Sequence, residues 1–590
     1  MKSILTAVLS FALYALPAAS QTLDENLKPK TPPPKERKAK LETPVTPAPS
    51  SEDEALVTEN LRGIVFLRAK EDVKREGMDG VTGVEVRDIP LIAGQDFVDV
   101  LAPYLNKPAK LGTLRAIQRD VILYCRSHDR PLVDVIVPIN QELNPTNGVV
   151  QIVLIEGRVG KISVQNEGRK WFSDESILRS IRLQPGDAVS EKRLLADLDW
   201  INRNPFREAT PSFRQGEQAG LSDMQLEVRD RIPLRVFGGY EDSGTEATGR
   251  DRLLAGFNWG DAFFQGHQFN YQYSTDAEFD TLMAHSVSYI APLPWRHTLS
   301  VYATYVDIDA QLSTGGSNST TFTTTALNYQ GALRYSVPLP ILRNYQHEAF
   351  AGFDFKHNET DLLFGGNSAQ PTETEVFQFV AGYNGSHSDP WGRTSAGVQG
   401  FYSPGGISDK NEDTAFGDPA VGQHEGAEAN YYYGRLTLER VTRLPWNFSW
   451  ILRGGAQLAS GNLIPSEQLG VGGYNTVRGY DEREANGDRG FVVSTELRTP
   501  ALTVLGRVPK WKMPDQLQFL AFTDYGMAES VNLADGERSA HLWSVGGGLR
   551  YTINRYLSFR FDYAVQLRDS KAPAPSDFGS RAHIGVIASF

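Results

Sequence analysis

The chain has little that would staple, metallate or catalyse. Its 590 residues include one cysteine, Cys125, which excludes an intramolecular disulfide in any compartment. Cys125 falls on the apolar face of a helical pattern and reads as a small core residue. No stretch beyond the N-terminus offers about 18 consecutive apolar residues, so no membrane-crossing helix is expected. The ten histidines are scattered without a close pair at metal-ligand spacing, and neither a metal nor another cofactor is expected. Gly-x-Ser-x-Gly, phosphate-loop and His-Glu-x-x-His patterns are missing, which argues against an enzyme. A formal net charge of -12 argues against nucleic acid as a partner.

What is present points to strands. The 54 glycines, 23 tyrosines and 29 phenylalanines, with 40% hydrophobic residues, suit a chain in which polar and apolar positions alternate. At 590 residues more than one domain is expected. Residues 1–20 read as a signal peptide: Lys2, an apolar run from Ile4 to Leu16, then Pro17-Ala18-Ala19-Ser20. Residues 21–55, with Lys30-Thr31-Pro32-Pro33-Pro34-Lys35, read as a Pro-rich disordered tether.

Two α+β modules follow, over residues 56–157 and 158–231. In the first, Ile64 to Leu67 is a strand, and Phe97, Leu101 and Leu105 recur at helical spacing, as do Leu114, Ile117, Val121 and Cys125. Strands at Val133 to Val137 and Val149 to Ile155 close it. The second repeats the order strand, helix, helix, strand, strand: Lys161 to Val164, Asp174 to Arg182 behind Ser173, Ser190 to Arg203, then Ala209 to Phe213 and Met224 to Val228. Ser173 is the expected N-cap, and Ser190 the weaker one because no capping-box Glu follows it.

From residue 232 to 590 the texture is period two. Phe269, Tyr271 and Tyr273 alternate with polar residues, as do Leu299, Val301, Ala303 and Tyr305, and the chain ends on Ile584, Val586, Ala588 and Phe590. Short Pro-containing turns carry Trp295, Trp391 and Trp446, while Ser313 to Thr320 and Pro404 to Glu428 are long polar loops. Short turns at one end and long loops at the other predict a transmembrane β-barrel, with the tryptophans as an interfacial girdle. At about 22 residues per strand and connection, the count comes to about 16 strands, and Phe590 serves as the C-terminal barrel signal. A soluble sandwich or propeller would also alternate, but a propeller's blade repeats are missing.

One loop and one strand stand out. Val477-Arg478-Gly479-Tyr480 lies in a Gly-rich, charged loop over about residues 470–490; Phe522-Thr523-Asp524-Tyr525-Gly526 lies in an apolar run that reads as a strand. An aspartate at mid-strand needs a partner when water is excluded. Arg478, with its planar fork of donors, is the expected one. Glu496 has the opposite parity from Phe491, Val493 and Leu497, so it too is expected to face inward. A solvated turn remains the other reading of Arg478.

These motifs, in this order behind two modules, resemble the outer-membrane transporters of two-partner secretion, the haemolysin secretion/activation family of the barrel-assembly superfamily. The resemblance covers nearly all of the chain after the tether. Val133 to Pro138 through Gly148 to Gly157 is similar to the end of that family's first polypeptide-transport-associated (POTRA) domain, and Asp242-Ser243-Gly244 with Thr248-Gly249 to the start of its barrel. The resemblance implies a lumen loop locked by Arg478 onto Asp524, with Val477, Gly479 and Tyr480 as loop motif and Phe522 and Gly526 as wall motif. It implies an outer-membrane translocator, with periplasmic modules that capture an unfolded, large, β-helical exoprotein. The bilayer, periplasmic chaperones and the barrel-assembly machinery are its further implied partners. An insertase of the same superfamily is the alternative; a passive porin leaves the modules unexplained. Relatives can carry an N-terminal plug helix, which the proline-rich tether does not resemble, and they commonly have Asp-Asn where Glu241-Asp242 stands.

Overall fold

The structure, a computed structural model, describes residues 28–32, 51–138, 141, 148–218, 220–245, 247–313, 321–342, 344–364, 367–419, 421–507, 513–533, 539–568 and 579–590. The expected signal peptide, most of the tether and the loop at 314–320 lie outside the described residues. The chain divides into two units, residues 33–232 and residues 1–32 with 233–590.

The first unit holds both modules. In the N-terminal one, strand Gly63–Leu67 pairs in parallel with Val149–Glu156, which pairs antiparallel with Val133–Ile136. Gly63–Leu67 is buried along its whole length, which explains its unbroken apolar run. One face packs on the helices Gln95–Leu101 and Leu111–Ser127 through Ile64, Phe66, Phe97, Leu101, Ile117 and Val121; the other packs Val65 and Leu67 on Met78 and Val153. Cys125 lies within the first of these clusters. Burial pushes its thiol up to about 12, so it stays protonated and inert. Three short strands were not expected: Leu56–Thr58, Ala109–Lys110 and Gly83–Val86. They are two to four residues long, too short to show a period.

The second module repeats the plan. Arg158–Asn166 runs parallel to Leu221–Asp230, which pairs antiparallel with Arg207–Gln215. Ser173 caps the helix Asp174–Arg179 by accepting from the Ser176 amide, and Ser190 caps Glu191–Ile201 by accepting from the Arg193 amide. Ser190 is thus a full cap, and its hydroxyl also donates to Asp129 at 2.6 Å. Both helices stop short of the expected ends. The Arg182 amide is taken by the buried Asp197 carboxylate, and the Asn202 side chain turns the chain by pairing with the Ala209 backbone.

The second unit is a closed barrel of sixteen antiparallel strands. They are β1 (Leu234–Glu241), β2 (Arg252–Ala262), β3 (His267–Thr275), β4 (Leu282–Pro292), β5 (Thr298–Ser313), β6 (Thr321–Pro338), β7 (Tyr345–Phe364) and β8 (Asn367–Asp389). The circuit continues with β9 (Gly392–Pro404), β10 (Asn430–Arg443), β11 (Ser449–Ala459), β12 (Arg489–Arg498), β13 (Asp515–Glu529), β14 (Ala540–Ile553), β15 (Leu557–Gln566) and β16 (Ser580–Ser589). Closure joins Phe237–Glu241 of β1 to Gly585–Ser589 of β16, and the Phe590 amide and carbonyl extend this seam by pairing with Val236.

The wall is inside-out relative to the modules. On β5 Val301 and Tyr305 are exposed while Thr304 is buried; on β3 Asn270, Gln272 and Ser274 are buried between the outward Phe269, Tyr271 and Tyr273. Inward positions elsewhere include Asn328, Asn358 and Gln378, all buried. An apolar outer face and a polar lumen suit a lipid surround. Trp295, Trp391 and Trp446 are exposed at the short turns. No helix among the described residues is long and apolar enough to cross a membrane. The long loops, at the end opposite the turns, include 405–429 and 460–488.

Candidate functional site

The 460–488 loop enters the lumen as a small hairpin, Leu469–Val471 paired with Ala485–Gly487. Its tip carries Arg478, which reaches the inward faces of three wall strands. The Arg478 Nε and Nη2 donate to the two oxygens of Asp524 on β13 at 2.7 and 2.8 Å, and the Arg478 backbone amide donates to Asp524 at 3.2 Å. Nη1 donates to Glu496 on β12 at 2.8 Å and lies 3.5 Å from Asp562 on β15. Nη2 also donates to Ser494 at 3.2 Å. Arg478 is 3% exposed, Asp524 and Asp562 not at all. The guanidinium plane covers the Phe522 ring, 3.4 Å from its centroid, adding a cation–π contact that desolvation strengthens.

The remaining expected residues meet at the same place. Val477 is buried with Val471 and Tyr480 in a cluster against β13 and β14. The Tyr480 hydroxyl donates to the Trp543 carbonyl at 2.9 Å and accepts from its amide. Gly479 has φ +94°, and a side chain there would press on Ala564 of β15. A Cβ at Gly526 would come within 2.4 Å of Val471 and 2.9 Å of Val477. Glycine is therefore needed on both loop and wall for the backbones to approach this closely. Glu496 faces inward, as its parity requires. Phe590 lies apart, at the seam.

Sequence reasoning missed Asp562 and its two further arginines. Arg550 donates to both Asp562 oxygens at 2.9 Å, and Arg560 Nε donates to one at 2.7 Å. Arg498 likewise supports Glu496 at 2.6 Å. Glu496 and Asp562 are thus each shared between Arg478 and further arginines, whereas Asp524 is paired, among the described residues, with Arg478 alone; such pairing is how buried charges are tolerated. Arg550, Arg560 and Asp562 stand on inward positions of adjacent strands, so strand parity was the available signal.

Part of the expected tether also belongs to this unit. Lys30 pairs with Glu241 at 3.0 Å, its amide donates to Gln272, and its carbonyl accepts from Arg235 and Asn258. Lys28–Pro32 is therefore fixed against inward residues of β1, β2 and β3, because an ion pair and three backbone bonds hold it. At the other end of the expected tether, Ser51–Glu54 forms a short 3-10 helix that pairs Asp53 with Arg115.

Comparison with known proteins bears on the family and the fold. A family model described as haemolysin secretion/activation protein ShlB/FhaC/HecB matches residues 220–551. The chain is 24% identical over 488 residues to the outer membrane transporter CdiB of Dickeya dadantii (strain 3937), covering 79% of each chain. It is 22% identical over 480 residues to the heme/hemopexin transporter protein HuxB of Haemophilus influenzae (strain 86-028NP), covering 78% of each. Among solved structures, CdiB from Escherichia coli shares the fold with a TM-score of 0.68 at 17% identity, over 93% of this chain and 94% of that one.

Proposed function

As a member of the haemolysin secretion/activation protein family ShlB/FhaC/HecB, the chain is an outer-membrane transporter of two-partner secretion, and we propose that its modules catch one dedicated exoprotein and that its barrel passes it outward unfolded. The modules are POTRA domains in the periplasm, so the long loops open to the cell exterior. The observation that carries the mechanism is the lumen loop anchored by Arg478. A barrel of sixteen strands is wide enough to leak, and a loop held in its lumen restricts it.

Capture would use sheet edges. Gly83–Val86 and Val133–Ile136 are the edge strands of the first sheet, and Arg158–Asn166 and Arg207–Gln215 those of the second. An extended client can add to such an edge by main-chain bonds. A β-helical client, rich in strands, would suit this mode, and periplasmic chaperones would keep it unfolded until then. Threading makes and breaks no covalent bond, so no catalytic group is needed.

The test is to express the chain in a Gram-negative outer membrane with the exoprotein encoded beside it, and assay the medium. Client outside the cell only with the intact transporter supports the reading. Client held in the periplasm behind a folded barrel would overturn it. Deletion of residues 56–157 should abolish client binding; unchanged affinity would rule out capture by the first module.

A further inference from the structure

The lumen loop has a second anchorage that no motif marks. Glu467, on the limb leading into the hairpin, is fully buried. Lys356, an inward residue of β7, brings its Nζ to 2.5 Å from Glu467 Oε1, and Ser466 donates to the same oxygen at 3.0 Å. Tyr433 of β10 donates to Oε2 at 2.8 Å. The Glu467 carbonyl accepts from Arg435 and Gln457 at 3.1 and 3.0 Å. The limb is thus tied to β7, β10 and β11.

Beside this pair the inner wall changes character. Where most inward positions are polar, Val376 and Val380 of β8, Phe401 of β9 and Tyr431 of β10 form an apolar strip. Residues 405–419 and 421–429 of the next long loop fold over the strip, burying Phe416 from the short helix Asp413–Gly417. That loop is joined to the limb: His424 Nδ1 lies 2.8 Å from the Leu463 carbonyl, and Asn462 donates to the Glu425 carbonyl at 3.2 Å. Exposing an apolar strip to a water-filled pore costs free energy in proportion to its area, so covering it is favoured. The loop, the limb and the strip therefore form one packed body in the lumen.

We propose that the 405–429 loop and the 460–468 limb are a lid on the pore, and that Lys356 and Glu467 are the positioning pair that latches it shut. Apolar contact alone is non-directional and would let the lid slide. The ion pair fixes one register, and loss of either partner alone leaves a buried charge unpaired. Displacing the whole lid instead returns both charges to water, so the latch resists one-sided loss yet can release as a unit. This rests on the reading of the chain as a secretion channel, in which an outward-moving client would meet the lid.

The first arm uses the full chain in planar bilayers without client, and the second adds an export assay with the exoprotein. Glu467→Gln keeps the shape and removes the charge, and should raise the open-to-closed ratio roughly ten- to hundred-fold, the value of one charge-assisted bond. The exchanged pair Lys356→Glu with Glu467→Lys should bring the ratio back toward the parent's. A second arm replaces both residues by cysteine, in a chain whose own Cys125 is buried, and joins them with a short bis-methanethiosulfonate linker. The linked protein should stay closed and retain the exoprotein, and reductant should restore both. A parental open-to-closed ratio in Glu467→Gln, from a barrel shown folded by its heat-modifiable mobility, overturns the latch. Export at the parent's rate through the linked protein overturns the lid. Failure of the parent chain to export any client would count against the secretion reading instead, with the conductance ratio still judging the latch.

Discussion

Arg478 and Lys356 each set a buried cation against the same lumen loop, yet they hold it in opposite ways. Arg478 belongs to the loop and spreads its donors over Asp524, Glu496 and Asp562 on three wall strands. Lys356 belongs to the wall and meets one loop carboxylate, Glu467. The planar guanidinium can serve several acids at fixed angles, whereas an ammonium is a point charge. The first anchorage is therefore redundant in its acids and dependent on one base. The second depends equally on both partners. The difference teaches that motifs can mark the shared cation of an anchor and one of its acids while leaving another, here Asp562, unmarked.

The comparison is most severely tested at its centre. Arg478→Ala leaves Asp524 and Glu496 buried without their common base, a loss of about 3–5 kcal/mol. The barrel should still form, with export near background and altered single-channel conductance; normal export and conductance would refute the lock. Asp524→Asn should be milder, about 1.5–3 kcal/mol, because Glu496 and Asp562 still neutralise Arg478. Export should fall without disappearing. As little client in the medium as with Arg478→Ala would show that the acids are not redundant.

Phe522→Leu removes the ring under the guanidinium but keeps apolar volume. About 1–2 kcal/mol of cation–π stabilisation is at stake, enough to show as noisier closed-state current while export persists. Unchanged current noise would show that the ring only packs. Smallest is Lys30→Ala, since the Lys30 side chain is partly exposed and the backbone bonds of Lys28–Pro32 remain. An effect of about 1 kcal/mol or less is expected, read as a slight conductance change. A large rise in conductance would make this segment a third anchor of the closed pore.

Much of this was legible in the chain because it rests on local periodicity. The alternation on β3, β5 and β16 is visible from single side chains, and the inward placement of Glu496 followed from parity alone. The order of strands and helices in each module was legible for the same reason, apart from strands too short to have a period. Helix ends were misread where a distant side chain intervened, as Asp197 does at Arg182. The Arg478 and Asp524 pairing was legible from one buried-charge argument. Asp562, Arg550 and Arg560 were not, because a polar residue on an inward parity looks the same whether it faces water or an ion pair.

What the sequence determined by itself is the set of elements and the side each residue faces: repeats of period two and 3.6 fix which atoms share a surface. It also determined that Arg478 and Asp524 needed partners, because charge burial is costly wherever it occurs. Only the tertiary structure decided which partners those are. Closing sixteen strands into a ring brings β7 to the limb at Glu467 and gathers β12, β13 and β15 around one loop tip, contacts separated by up to 111 residues in the chain. Such meetings depend on register and curvature summed around the whole barrel, and no local window of sequence carries that sum.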